Sequence, residues 1–122
     1  MTAPNPAALL DPEALRRLRE LDPSGGNKLL ERVVAAFSNS LERLLTDLSL
    51  SREGATPDLN VVRHVSHTLK SSSASLGAMA LSARCADIET MARDGRTDGL
   101  SEQLDAMLQD IQQVRTALAA LL

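Results

Sequence analysis

Residues 61–78 read V-V-R-H-V-S-H-T-L-K-S-S-S-A-S-L-G-A, and this stretch predicts the central helix of the fold. A helical step of about 100° per residue places Val62, Val65, Leu69 and Leu76 on one side. The opposite side is small and polar, and it comprises Asn60, Arg63, His64, His67, Lys70, Ser71, Ala74 and Ala78. The pattern predicts an amphipathic helix that buries its valines and leucines and exposes His67.

His67 has two interpretations on spacing alone. An accessible imidazole near basic side chains can take a phosphoryl group, because one ring nitrogen attacks phosphorus while the other is held as an N–H. Arg63 and Lys70 both stand within about one helical turn of His67. The same position also suits an ordinary surface histidine, so the spacing leaves both interpretations open.

The run from His67 to Ala78, H-T-L-K-S-S-S-A-S-L-G-A, resembles the signature of histidine-containing phosphotransfer (HPt) domains. That family reads H-x-L-K-G-S-S-x-x-L-G-A, and the match joins the histidine, the lysine, the serines and the Leu-Gly-Ala end in one register. Ser71 departs from it, standing where the family usually has glycine. The resemblance covers roughly residues 10–122 and implies a phosphorelay carrier, in which His67 accepts a phosphoryl group from one receiver-domain aspartate and passes it to another.

The resemblance also implies roles for residues around His67. Glu89 stands where the family has a Glu or Gln that orients the second ring nitrogen, and Lys70 would meet phosphoryl oxygens or an acidic partner. Both residues also fit ordinary solvated side chains. The expected partner-binding surface, which would dock the receiver domains of response regulators, comprises Arg63, His64, Ser71 and Ala74.

The remaining chain predicts an all-α fold. Apolar stripes at helical spacing run through residues 27–50, 81–92 and 100–121, and Thr56-Pro57 predicts the start of the central helix. Asp11-Pro12 predicts a short helix, and Gly77 either closes the central helix or lets it pass close to a neighbour. Short connections favour an antiparallel up-down-up-down four-helix bundle with a short N-terminal lid helix.

Domain limits follow from the same pattern. Residues 1–9, which include Pro4 and Pro6, are predicted to be a disordered leader or linker, and residues 10–122 the HPt bundle. The resemblance allows either a free relay protein or the C-terminal domain of a hybrid sensor kinase, and the proline-bearing leader slightly favours the second.

Composition narrows the function further. Aromatic residues make up 1% of the chain and the net charge is −3, so nucleic-acid binding is not expected. No apolar run approaches the roughly 20 residues of a membrane span, and the start of the chain lacks a signal-peptide pattern. With the single Cys85, this favours a cytoplasmic location, directly or through a membrane-tethered parent kinase.

Several chemistries lack their motifs. Without a phosphate-binding loop, a nucleotide-binding sequence or an acidic cluster, the chain is predicted not to be a kinase and to hold no cofactor of its own; Mg²⁺ is expected in the partner receiver domain. No metal site is predicted, because the His64-x-x-His67 spacing is weak without a third ligand.

The kinase-dimerisation pattern H-E-x-[KR]-[TN]-P is not met, and a monomer is expected. A structural bundle that binds a partner helix without phosphotransfer remains the alternative.

Overall fold

A short helix precedes four longer ones in the computed structural model, which describes residues 9–122. The helices are α1 (Pro12–Glu20), α2 (Leu29–Ser51), α3 (Leu59–Ser75), α4 (Met79–Arg93) and α5 (Leu100–Ala119). No strand occurs in this part of the chain. The predicted all-α class is confirmed, whereas the leader predicted for residues 1–9 falls, except for Leu9, outside the described residues.

Neighbouring long helices run antiparallel. Arg52, just after α2, contacts Asp105 near the start of α5 at 3.0 Å, while Glu42 in α2 contacts Arg115 near the end of α5 at 3.0 Å. The α3–α4 connection consists only of residues 76–78, which is too short for anything but an antiparallel pair. The predicted up-down-up-down bundle is therefore confirmed.

Apolar side chains from all four long helices meet in one core. Leu41, Val65, Ile88 and Leu104 are completely inaccessible, and Phe37, the lone aromatic residue, is 5% exposed. A few predicted stripe residues are only partly buried against this core: Leu30, Val33, Leu45, Leu108 and Leu121. Because the valines and leucines of α3 face the core, the opposite face of that helix is left to solvent.

The start of α3 differs from the sequence prediction. Thr56 was expected to cap the helix, but the cap is Asp58, whose carboxylate accepts the Asn60 N–H at 3.0 Å. Aspartate is at least as good a cap as threonine, and it lies closer to the apolar run that follows. The helix accordingly begins at Leu59, and the prediction for Thr56 is wrong.

The start of α2 is also displaced, from the expected Asn27 to Leu29. The Asp22 carboxylate accepts the backbone N–H groups of Asn27 and Leu29 at 3.3 and 3.1 Å. The Asp22 side chain, which lies outside the helix, thus accepts hydrogen bonds from backbone amides at the helix start, which have no acceptor within the helix.

The lid helix α1 attaches to the α3–α4 turn. Asp11 caps α1 through its carboxylate, as predicted, and its backbone N–H donates to the Gly77 carbonyl at 2.8 Å. Gly77 has a φ of +81°, and a Cβ there would lie 2.7 Å from the Asp11 nitrogen. Gly77 therefore does both things that the sequence left open, since it follows the end of a helix and permits close approach of a neighbour.

In the turn at residues 76–78, the position of Ala78 differs from the sequence prediction. The amphipathic pattern put Ala78 on the solvent face with His67, but α3 ends at Ser75. Ala78 instead caps the start of α4 and is 1% exposed. The helical step stops applying once Gly77 takes a positive φ.

We expect Gly77→Ala to reduce the free energy of unfolding by more than Gly95→Ala does. Both glycines follow a helix end with positive φ, +81° and +71°, so both substitutions carry a backbone penalty of about 1–2 kcal/mol. Only at Gly77 does the new methyl group meet another segment, because nothing lies within 4 Å at Gly95. Urea denaturation of the two variants measures the difference, and equal losses would show that α1 does not depend on this contact.

Candidate functional site

His67 stands on the outward face of α3, with its side chain 64% exposed. Its neighbours Val65 and Leu69 are buried in the core, so the amphipathic helix itself turns the imidazole outward. Ser71, one turn further on, is exposed, and Ala74 is half-buried. Apart from Lys70, the side chains that follow the ring on this face of α3 are therefore small, which leaves it open to an approaching molecule.

Glu89 of α4 contacts this ring and a second residue of α3. Its Oε2 lies 2.5 Å from His67 Nδ1, and its Oε1 lies 2.6 Å from Lys70 Nζ. The Glu89 side chain is only 14% exposed, and Ile88 and Cys85, on the same helix, are buried in the core. A single carboxylate therefore joins the imidazole and the ammonium group.

The charge of Glu89 determines which ring nitrogen carries a proton. The hydrogen bond from Lys70 lowers the pKa of Glu89 below its ordinary value, burial opposes this, and the His67 contact lowers the pKa further. An ionised carboxylate only accepts hydrogen bonds, so His67 Nδ1 donates. In a neutral ring the lone pair is then on Nε2, the nitrogen that Glu89 does not contact.

Sequence reasoning missed one residue at this junction, Ser82. Its hydroxyl donates to the Lys70 carbonyl at 2.8 Å, across the α3–α4 interface. The available signal was spacing, because Ser82 and Glu89 are seven residues apart and thus share a face of α4. Serine hydroxyls in helices usually bond to their own helix, so this signal did not single out Ser82.

The predicted partner-binding residues lie on the same side of α3 as the ring. Arg63 and His64 are exposed and line a shallow depression together with Asn60, His67 and Glu89. Ser71 and Ala74 continue the same side of α3 beyond His67. The structure thus places all four residues on the His67 side of α3, and their part in docking a partner stays a prediction.

The structure of residues 9–122 also bears on metal binding and on the reactivity of the Cys85 thiol. Across residues 9–122, no three His, Cys, Asp or Glu side chains come together as metal ligands. Cys85 is fully buried, and burial, with a smaller contribution from Asp110, raises the pKa of its thiol to about 12. The thiol therefore packs as a small apolar group. None of the described helices has the length and apolar character needed to cross a membrane.

We expect the stabilising effect of Glu89 to depend on pH. A carboxyl group whose pKa is lowered by folding stabilises the protein above its unfolded pKa, ordinarily 4.5, and loses that effect as pH falls through the folded value. The difference in unfolding free energy between the wild type and Glu89→Gln should therefore be largest near neutral pH and shrink below 4.5.

Urea denaturation between about pH 7 and about pH 3.5 measures this difference, and Glu53→Gln at an exposed turn is the control for lost negative charge. A Glu89→Gln difference that stays constant across this range would contradict the assigned ion pair.

Comparisons with known proteins identify the family to which this chain belongs. The family model described as "Hpt domain" matches residues 32–117. The structure of histidine-containing phosphotransfer protein B from Pseudomonas aeruginosa PAO1 matches with 25% identity and a TM-score of 0.71, over 93% of this chain and 94% of that one. No curated protein sequence gives a significant match.

Two plant structures share the fold. A rice protein described as a histidine-containing phosphotransfer protein is 25% identical, with a TM-score of 0.75 over 91% of this chain and 79% of that one. The maize histidine-containing phosphotransfer protein is 23% identical, with a TM-score of 0.76 over 94% and 90%. Because the family model spans more than half of the chain, this protein belongs to the Hpt domain family, whose members carry phosphoryl groups in phosphorelays and are not kinases themselves.

Proposed function

We propose that this Hpt domain carries its phosphoryl group on Nε2 of His67, accepting it from the aspartyl phosphate of one receiver domain and passing it to the aspartate of another. The observation that carries the proposal is the 2.5 Å contact between His67 Nδ1 and Glu89 Oε2. It holds the ring in one orientation, with its protonated nitrogen inward and its nucleophilic nitrogen outward.

The transfer is a displacement at phosphorus. The Nε2 lone pair forms an N–P bond while the P–O bond to the aspartyl carboxyl breaks, and that carboxylate leaves with the electron pair. The Nδ1 proton stays on the ring, which gains positive charge as the bond forms. The Glu89 carboxylate, held ionised by Lys70, stabilises that charge. The reverse displacement returns the group to an aspartate.

Lys70 serves this step in two ways. In the resting site its ammonium group contacts Glu89 Oε1 at 2.6 Å and so positions the carboxylate that holds the ring. It is also 36% exposed and one turn from His67, within range of oxygens on an incoming phosphoryl group. We therefore expect Lys70→Ala to slow transfer without abolishing it.

The partners we propose are receiver domains of response regulators, docking over Arg63, His64, Ser71 and Ala74. The receiver would contribute Mg²⁺ and most of the catalysis, and this chain would contribute the nucleophile and its orientation. The serine at position 71 is small and exposed, so it leaves access to the ring. We further propose that residues 10–122 form the functional unit and that it acts as a monomer in the cytoplasm.

The proposal predicts that His67→Gln abolishes phosphate uptake and His64→Gln does not. Both histidines are exposed on α3, but Glu89 contacts only His67, so only that ring is oriented. The test incubates each variant with phosphorylated receiver domains and measures acid-labile, base-stable phosphate on the protein.

Folding serves as the control for this experiment. His67→Gln loses the bond of the ring to Glu89, so it should lower the free energy of unfolding by about 1 kcal/mol and leave the protein folded. Phosphate located on His64 by mass spectrometry, or uptake by the His67→Gln variant, would overturn the assignment. Failure of the wild-type protein to accept phosphate from any receiver would instead favour a bundle that only binds partners.

A further inference from the structure

The α3–α4 interface carries few directional contacts. Among residues 9–122, three side-chain hydrogen bonds join the two helices, and two of them end on the Glu89 carboxylate. The third joins the Ser82 hydroxyl to the Lys70 carbonyl at 2.8 Å. Within residues 9–122, the Ser82 bond is therefore the one side-chain hydrogen bond between these helices that does not involve Glu89.

The hydroxyl of Ser82 behaves differently from the hydroxyls that bond within these helices. Those of Ser66, Ser72, Ser75 and Thr90 each donate to a carbonyl four residues earlier in their own helix. Such bonds within one helix do not constrain its neighbour. The Ser82 bond crosses to α3, so it constrains the position of one helix relative to the other.

The crossing bond lies on the face of α4 that carries Glu89. Seven residues separate Ser82 from Glu89, which places them about 20° apart around α4 and roughly 10 Å apart along it. Lys70 joins the two contacts, because its carbonyl accepts from Ser82 while its ammonium group contacts Glu89. Two contacts separated along one face restrict both sliding and rotation of α4 against α3.

Such restriction matters because apolar packing is not directional. The buried side chains Val65, Leu69, Leu81 and Ile88 hold the helices together, but their contacts change little when a helix slides by a few tenths of an ångström. A hydrogen bond weakens steeply with small errors in distance and angle. The 2.5 Å contact of Glu89 with the imidazole therefore needs a fixed register between the two helices.

We propose that Ser82 is a positioning residue of the phosphotransfer site, whose bond to the Lys70 carbonyl sets the register of α4 against α3 and so places Glu89 on His67. The inference rests on the proposed function of His67 and extends it to a residue that touches neither the ring nor the phosphoryl group. Ser82 acts through Lys70 and Glu89.

The test measures phosphorylation of His67 by phosphoramidate, a small donor that reacts without docking a receiver. Ser82→Ala should slow the reaction roughly two- to tenfold, the range expected for the loss of one hydrogen bond. Ser82→Thr, which keeps a hydroxyl, should recover most of the rate. Ser82→Val, which has the shape of threonine but no hydroxyl, should not. The matched control is Ser72→Ala, which removes a half-buried hydroxyl bonded within α3 and should leave the rate unchanged.

A spectroscopic measurement accompanies the rates. The carbonyl ¹³C resonance of Lys70 should shift in Ser82→Ala and Ser82→Val and return in Ser82→Thr, because only variants with a hydroxyl at position 82 keep the bond from α4 to that carbonyl. If Ser82→Ala does not fold, the rates of Ser82→Thr and Ser82→Val still show whether the reaction needs a hydroxyl at position 82.

The outcomes separate the two claims. Equal rates for Ser82→Ala and the wild type, or for Ser82→Thr and Ser82→Val, would overturn the role of Ser82. A wild-type protein that phosphoramidate modifies on His67, but that accepts nothing from phosphorylated receivers, would overturn the proposed function while leaving the positioning result intact.

Discussion

The Glu89 carboxylate is the point on which the chemistry of this protein depends. It lies between an imidazole and an ammonium group, 2.5 Å from His67 Nδ1 and 2.6 Å from Lys70 Nζ. Lys70 lowers the pKa of Glu89, and the ionised carboxylate in turn requires a proton on Nδ1. One ion pair therefore establishes the tautomer and the orientation of a ring that is otherwise largely exposed to solvent.

The bundle supplies the conditions for that contact. The core anchors α4 through Cys85 and Ile88, so that Glu89 next to them emerges at the edge facing α3. The short turn at residues 76–78 makes the two helices antiparallel neighbours. At that turn α1 contacts Gly77 through a backbone hydrogen bond, so the lid helix covers the end of the helix pair that lies away from His67. Apolar packing brings the helices together, and a small number of hydrogen bonds then set their relative position.

Much of the fold could be predicted from the sequence, because helical periodicity reports directly on which residues face the core. The outward position of His67 followed from Val65 and Leu69 alone. Helix starts were less predictable, since Asp58 competes with Thr56 and a remote carboxylate, Asp22, caps α2. Local spacing does not report which of several polar side chains reaches the free amides.

The site was predictable only in part. Periodicity assigns a residue to a face of its own helix but contains no distance between helices, so the pairing of Glu89 with His67 came from the resemblance to a known family. Ser82 has no role in that resemblance, and only the placement of α4 against α3 reveals its contact with Lys70. Bonds between helices depend on the relative position of two segments, which no single amphipathic pattern specifies.

The most direct test of this account is the tautomer of the His67 ring in the unphosphorylated protein. Two-bond ¹H–¹⁵N NMR spectra, recorded at a pH above the observed end of both imidazole titrations, distinguish a protonated nitrogen from one with a lone pair. The account predicts a predominant Nδ1–H tautomer for His67, while His64, which Glu89 does not contact, serves as the internal reference. A His67 ring that is predominantly Nε2–H, or that shows the same averaged shifts as His64, would contradict the central role of Glu89.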